Sequence, residues 1–282
     1  MINALMTVNW DVDPVLVNIP LPVGGDLPIR YYSLSWLAAI LIGWWYFIRF
    51  VKREGLPPKV SDSIFFYGFF STIIGARLGH CFFYERAYYL AHPLEIFGIG
   101  SGGLSGLASH GAAIGLLIGL WLFSRKNRLP YIWSLDRIML CVGIGGACVR
   151  IGNLMNSEIF GTATDLPWGF LFIRSREWQQ LYAPLACHPT QIYEALCYLA
   201  TYFVLLWLYY KRDAARRRPG LMFGVGLLGV FFTRFLIESI KNVQEAFELE
   251  MTLNMGQRLS IPFIVLGIVI VVWSLRKKPC VQ

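Results

Sequence analysis

Charge is what this sequence has least of. Only 15% of its 282 residues are Asp, Glu, Lys or Arg, against 56% hydrophobic, whereas roughly a quarter of the residues of an ordinary soluble domain are charged. Cysteine supplies no framework either. Cys81, Cys141, Cys148, Cys187, Cys197 and Cys280 form no CxxC or metal-ligand spacing and lie mostly within apolar stretches, so they read as small buried hydrophobes, not as redox, catalytic or metal-binding groups. No glycine-rich P-loop, GxSxG elbow or HExxH helix occurs, which leaves serine hydrolase and zinc protease chemistry without support. The first 30 residues hold Asp11, Asp13, Asp26 and several prolines. They lack the basic-then-apolar order of a cleavable signal, so the first apolar helix is expected to be a true span. There is no internal repeat, no low-complexity tract and no soluble domain at either end.

What is present in excess is apolar and aromatic: mean hydropathy is +0.53, with 10 Trp, 14 Tyr and 20 Phe. Runs long enough for about 20 residues of membrane helix lie at Tyr32 to Val51, Ser61 to Phe83, Leu104 to Phe123, Ile132 to Ile151, Gln191 to Tyr210, Leu221 to Ile240 and Ser260 to Leu275. The expected fold is therefore an all-α polytopic membrane protein of about seven transmembrane helices, a single domain over residues 1–282. The net charge of +8 does not point to nucleic acid, because the basic residues cluster between apolar runs. Arg49, Lys52, Arg53 and Lys59 follow the first run; Arg125, Lys126 and Arg128 the third; Lys211, Arg212 and Arg216 to Arg218 the fifth; Arg276 to Lys278 the last. With seven spans all these clusters share one side, and the positive-inside rule makes that side cytoplasmic, with the N-terminus outside and the C-terminus inside. Asp11, Asp13, Asp165, Glu245, Glu248 and Glu250 fall on the opposite side. So does the segment from Asn153 to Pro189, too long for a turn and rich in Trp and Phe, which is expected to form a small outer, periplasmic subdomain.

Polarity concentrates at a few places where it is costly. The stretch from Val149 to Gly161, V-R-I-G-N-L-M-N-S-E-I-F-G, brings Arg150, Asn153, Asn156 and Glu158 to the outer end of an apolar run, where such residues face a partner, a cavity or a substrate. Arg150 and Asn153 are three apart and share a helical face, as do Arg234 and Glu238, four apart, with Lys241 a further turn along. Mutual neutralisation or snorkelling would account for one such arginine. Two arginines with two asparagines and a histidine at similar depth point instead to an anion held bidentately, and at that depth the anion is a lipid phosphate. His110, near the outer end of the third run, can take a proton from a thiol or hydroxyl near neutral pH, although a lone histidine is more often a packed one. His188 and Thr190 are equally well read as helix capping; Gln191 and Glu194, slightly deeper, are harder to dismiss. Gly111, Gly115 and Gly119, at spacing four, suit close helix packing.

Assembled in order, R-Y-Y-S at Arg30 to Ser33, G-A-R-L-G at Gly75 to Gly79, S-H-G at Ser109 to Gly111, R-I-G-N-L-M-N-S-E-I-F-G at Arg150 to Gly161, H-P-T-Q-I-Y-E at His188 to Glu194, R-F-L-I-E at Arg234 to Glu238 and M-G-Q-R-L-S-I-P at Met255 to Pro262 make the chain resemble the prolipoprotein diacylglyceryl transferases along nearly its whole length. The resemblance implies a bacterial cytoplasmic-membrane enzyme with its active site toward the periplasm. It would move the diacylglyceryl group of phosphatidylglycerol to the lipobox cysteine of preprolipoprotein signal peptides, with membrane lipids as neighbours and no metal or organic cofactor. On the family's pattern Arg150 and Arg234 hold the phosphate and His110 is the base. Glu194 acts beside them, and Tyr32, Gly111, Asn153, Asn156, Glu158, Gln191 and Glu238 line the substrate site. The chain departs from the pattern at Val149 and Ser157, where glycine is usual, at Ala112, and at Val230, where a tyrosine is often found. A carrier of organic anions using the same two arginines is the competing class, although the paired halves common in transporters are missing.

Overall fold

Apolar runs that enter lipid must satisfy their main chain internally, and helices do so within one segment. A computed structural model describes residues 7–22, 24–98, 106–242 and 251–278. The expected start of the third run at Leu104, the acids Glu245, Glu248 and Glu250, and Cys280 lie outside them. In chain order the elements are β1 (Val8–Trp10), β2 (Val15–Pro20), β3 (Asp26–Arg30), α1 (Tyr31–Arg53), α2 (Lys59–Phe83), α3 (Arg86–Ala91), α4 (Ser109–Asn127), α5 (Tyr131–Met155), β4 (Phe170–Phe172), α6 (Arg176–Leu181), α7 (Thr190–Tyr210), α8 (Ala214–Arg217), α9 (Leu221–Ile237) and α10 (Met255–Arg276). Five helices, α1, α5, α7, α10 and α9 with its tightened end to Ile240, are long and apolar enough to cross a membrane. The chain is a multi-pass membrane protein in character. The second and third expected runs are also helical, as α2 and α4. The chain is mostly helical, as expected; among the described residues four strands of three to six residues add to it, too brief to show the sustained alternation that marks a strand in a sequence.

The chain divides into two units, residues 44–135 and residues 1–43 with 136–282. In the first, α2 and α4 run antiparallel along a glycine seam. A Cβ added to Gly79 would sit 2.7 Å from the Gly111 Cα, and one on Gly115 would sit 2.9 Å from the Gly75 Cα. Main chain meets main chain here, as small residues at spacing four allow. Beside the seam an apolar groove of about 550 Å³ is walled by Leu78, Phe82, Ile114 and Ile118. Arg77, buried on α2, donates to the Glu95, Ile96 and Gly106 carbonyls at 2.5, 2.9 and 3.4 Å and lies over the Tyr89 ring. It thereby fixes the 3₁₀ turn Pro93–Phe97 and the approach to α4.

In the second unit, Gly220 starts α9 in the left-handed region with no side-chain cap of its own. Asp136, buried on α5, supplies one from a distance, accepting from the Gly220 and Phe223 amides at 2.8 Å each; this answers the free N–H groups of a helix start. At the same end, Arg218 donates to the Leu275 carbonyl at 2.9 Å, so the start of α9 lies against the finish of α10. α10 begins earlier than Ser260, because Asn254 and Gln257 form a reciprocal capping box.

The segment after Asn153 folds into a structured piece. β4 pairs in parallel with β1, Val8 opposite Phe170 and Trp10 opposite Phe172. Leu154, Phe160, Phe170, Phe172, Trp178 and Cys187 make a buried cluster, where burial pushes the Cys187 thiol up to about 12. Arg174, unexplained in the sequence, spans Asp11 and Asp13 at 2.8 Å each. β2 and β3 form an antiparallel hairpin leading into α1.

Candidate active site

The polar end of α5 is built by a chain reversal. The helix stops at Met155, and Ser157 and Ile159 both take positive φ, 54° and 60°. Ser157 stands where the resemblance leads one to expect glycine, and its backbone shows why glycine suits the position. A β-branched residue in that conformation is a true outlier, of the kind that collects at functional sites. The two turns hold Glu158 in place. Its carboxylate accepts from Asn153 at 2.7 Å and Asn156 at 3.3 Å, and its carbonyl accepts from Gln191 Nε2 at 2.7 Å. Thr190 Oγ1 donates to the Ile159 carbonyl at 2.9 Å, so Thr190 anchors the reversal and does not cap α7. His188 is partly buried, which lowers its pKa.

Phe160 to Thr162 then run between two other segments. The Gly161 amide donates to the His188 carbonyl at 2.8 Å and the Thr162 amide to the Ile240 carbonyl at 2.9 Å. A Cβ on Gly161 would come within 2.8 Å of both His188 and Thr190, so the position admits only glycine. This crossing brings the ends of α5 and α9 and the start of α7 together.

The charged side chains converge at the same place. Arg150 Nη1 donates to Asn153 Oδ1 at 3.1 Å, which orients the amide so that its nitrogen points at Glu158. Arg150 Nε lies 2.8 Å from Glu194 Oε2, but the N–H is not aimed along that line, and the oxygen has an ionic partner without an aligned hydrogen bond. Glu194 is fully buried, and its other oxygen takes Lys241 Nζ at 2.9 Å. Lys241 also reaches Glu238 Oε2 at 3.2 Å. Glu238 Oε2 is 3.7 Å from Arg234 Nε, too far for a hydrogen bond. The Arg234 Nε is buried with no hydrogen-bond partner, while the side chain as a whole stays 36% exposed. Three cations, Arg150, Lys241 and Arg234, thus alternate with two carboxylates, Glu194 and Glu238, and Arg234 is the least committed of the cations.

Of the residues expected from the sequence, Arg150, Asn153, Asn156, Glu158, Gln191, Glu194, Arg234 and Glu238 form this network. Tyr32 lies against the α5 backbone, its ring 2.9 Å from where a Cβ on Gly152 would be. His110 and Gly111 belong to α4 in the other unit. His110 is exposed, and Gly111 is spent in the seam. Glu194, expected among the catalytic groups, is occupied as a counter-ion to Arg150 and Lys241. Two members escaped the sequence reading. Lys241 was visible only as the next turn after Glu238, with nothing to show that it reaches Glu194. Tyr198 was one tyrosine among 14. It is buried on α7, packs with Val230, stands 3.5 Å from Glu194 Oε1 and lies within electrostatic reach of both Arg150 and Arg234. Among the described residues no group of three His, Cys, Asp or Glu side chains is placed to hold a metal ion.

Residues 18–273 match the family model described as prolipoprotein diacylglyceryl transferase. Proteins named phosphatidylglycerol–prolipoprotein diacylglyceryl transferase are similar along nearly their full length. One from Porphyromonas gingivalis is 49% identical over 283 residues, covering 98% of this chain and 97% of the relative. One from Bacteroides fragilis is 39% identical over 285 residues, 98% of each. One from Tolumonas auensis is 38% identical over 270 residues, 95% of this chain and 98% of the relative.

Proposed function

The chain belongs to the prolipoprotein diacylglyceryl transferase family, and from that premise we propose that it transfers the diacylglyceryl group of phosphatidylglycerol to the lipobox cysteine of a preprolipoprotein. The thiolate sulfur attacks the glyceryl carbon next to the phosphate, a carbon–sulfur bond forms, and the carbon–oxygen bond breaks with its electron pair leaving on glycerol 1-phosphate. The product carries a thioether-linked lipid.

The observation that carries this reading is Arg234. Its guanidinium is partly exposed, holds an unfilled buried donor, and stands beside a carboxylate that it does not hydrogen-bond. A fork in that state is available to two phosphate oxygens. As the bond to the leaving group breaks, negative charge grows on the phosphate, and a guanidinium already in place stabilises that charge more than the intact diester. Arg150, held by Asn153 and Glu194, supplies a second fixed positive charge. His110 takes the thiol proton; a thiol with a pKa near 8.5 is otherwise only a few per cent ionised at neutral pH.

Seven spans, with the site toward the periplasm of a bacterial inner membrane, fit the same features. α2 turns Phe66, Phe70 and Ile74 outward, each more than half exposed, a lipid-facing stripe that asks for a bilayer around it. The polar network gathers at the finish of α9. The basic residues 216–218 and 276–278 sit at its other end, as the Arg218 contact with Leu275 requires. The outer subdomain of residues 153–189 then rests on the periplasmic face.

Membranes containing the protein are expected to move the glyceryl-linked label of phosphatidylglycerol onto a lipobox peptide with no added nucleotide. Label transfer at the level of control membranes, with the lipid or its headgroup carried across instead, would sink the transferase reading in favour of the carrier.

A further inference from the structure

We propose that Lys241 is a positioning residue which keeps Arg234 open for the headgroup phosphate by drawing the neighbouring carboxylates to itself; the inference rests on the transferase reading above. Arg234 and Glu238 are four apart at the end of α9, a spacing that favours a direct pair on a regular helix. Here the pair is made only as a loose ionic contact at 3.7 Å, without a hydrogen bond. α9 tightens into a 3₁₀ turn at Glu238–Ile240, and Glu238 Oε2 lies nearer to Lys241 Nζ, at 3.2 Å, than to Arg234 Nε, at 3.7 Å. The same ammonium holds Glu194 Oε1 at 2.9 Å, so it shares with Arg150 the charge of the most buried carboxylate in the network.

Lys241 cannot drift from this post. Its side chain is 3% exposed, its residue bridges antiparallel to Gly161, and the preceding carbonyl accepts from Thr162. The Glu238 main-chain carbonyl is fixed separately by Asn254 Nδ2 at 3.0 Å. A Cβ on Gly256 would run into the Glu238 carboxyl group, so Gly256 leaves that carboxylate the room it occupies beside the lysine. Remove the ammonium, and two buried carboxylates have only the two arginines to neutralise them. Phosphate must then compete with Glu238 for the Arg234 fork. A compact ammonium suits a post between two carboxylates, while the planar fork suits the diester.

The test uses the full-length protein in mixed micelles, with phosphatidylglycerol at varied mole fraction and a lipobox peptide as acceptor. Lys241→Met is expected to raise KM for phosphatidylglycerol tenfold or more, with kcat within about threefold of wild type. Lys241→Arg should restore most of the loss, and Lys241→Met combined with Glu238→Gln should bring KM back to within about threefold, because the competing charge is gone. A Lys241→Met protein with wild-type KM overturns the proposal. So does one whose loss lies wholly in kcat and is not relieved by Glu238→Gln. If Lys241→Met does not fold, Glu238→Gln alone decides: a lower KM supports the proposal, and an unchanged or raised KM overturns it. Wild-type protein that transfers no label refutes the transferase reading instead, so the two failures are distinguishable.

Discussion

Arg77 and Arg234 are both drawn from apolar helices, and they are used in opposite ways. Arg77 spends its guanidinium on three main-chain carbonyls and a tyrosine ring. That answers the cost of burying a charge and nails a turn in place. Arg234 sits among carboxylates, hydrogen-bonds none of them, and keeps a buried donor unfilled. The contrast teaches that an arginine in an apolar helix declares its role by what it leaves unpaired. One satisfied by carbonyls is a fastener, and one left open beside a managed set of counter-charges is a receptor.

The sharpest way to break this contrast is Arg234→Lys. Charge survives but the fork does not, and transfer from phosphatidylglycerol is expected to fall by about 100-fold, or ~2.7 kcal/mol in the barrier. Near-native turnover would show that point charge suffices and would make the two arginines alike. Arg77→Met attacks the other side. Three partly buried carbonyls lose their donor, so unfolding in detergent is expected at a stability lower by about 3 kcal/mol, while KM for phosphatidylglycerol stays at its wild-type value. A raised KM with unchanged unfolding would move Arg77 into the receptor class. His110→Gln is expected to slow transfer about tenfold; turnover at the wild-type rate would leave His110 without a role in proton transfer.

The smallest effect belongs to the exposed arginine. Arg174→Gln is expected to leave turnover at the wild-type value and to change only stability, at pH values above about 4. The carboxyl of Asp13 is held below its ordinary range by the Val15 amide, with Arg174 adding to the effect. A depressed carboxylate contributes stability above its unfolded pKa of about 3.9 and loses it as pH falls through the lower folded value. The variant should therefore lose part of that contribution above pH 4 and converge with wild type in stronger acid. Unfolding curves between pH 2 and 6 that superimpose throughout would remove Arg174 from the account.

Much of this was legible before any coordinates. Among the described residues each of the seven apolar runs contains a helix, five of them long and apolar enough to cross a membrane, and Arg150 and Asn153 meet as their three-residue spacing requires. Gln191 and Glu194 stand with them because the start of α7 returns to the end of α5. What stayed hidden depends on contacts between distant segments. Lys241 is 47 residues from Glu194, and spacing along α9 points it only at Glu238. Tyr198 carries no local mark, since its hydroxyl acquires meaning only beside Arg150 and Arg234. Asp136 carries no local mark of its task, because the α9 start that it caps, at the left-handed Gly220, lies 84 residues further along the chain. The short strands β1 and β4 draw their pairing from residues far apart in sequence, which no local alternation announces. His188 and Thr190 resembled a cap, but Thr190 is turned toward Ile159 by the strained reversal before it.

The threading of Gly161 between His188 and Ile240 has a consequence for biosynthesis. The Gly161 amide can find the His188 carbonyl once the start of α7 is reached, but the Thr162 amide finds its partner, the Ile240 carbonyl, only when the last stretch of α9 has been delivered, some 80 residues of translation after Thr162 itself. Until then Lys241 has not arrived, and Glu194 would be stranded without its second cation. The candidate site is consequently assembled late, from pieces inserted at separate moments, and a nascent chain arrested before residue 240 is expected to carry membrane helices but no activity.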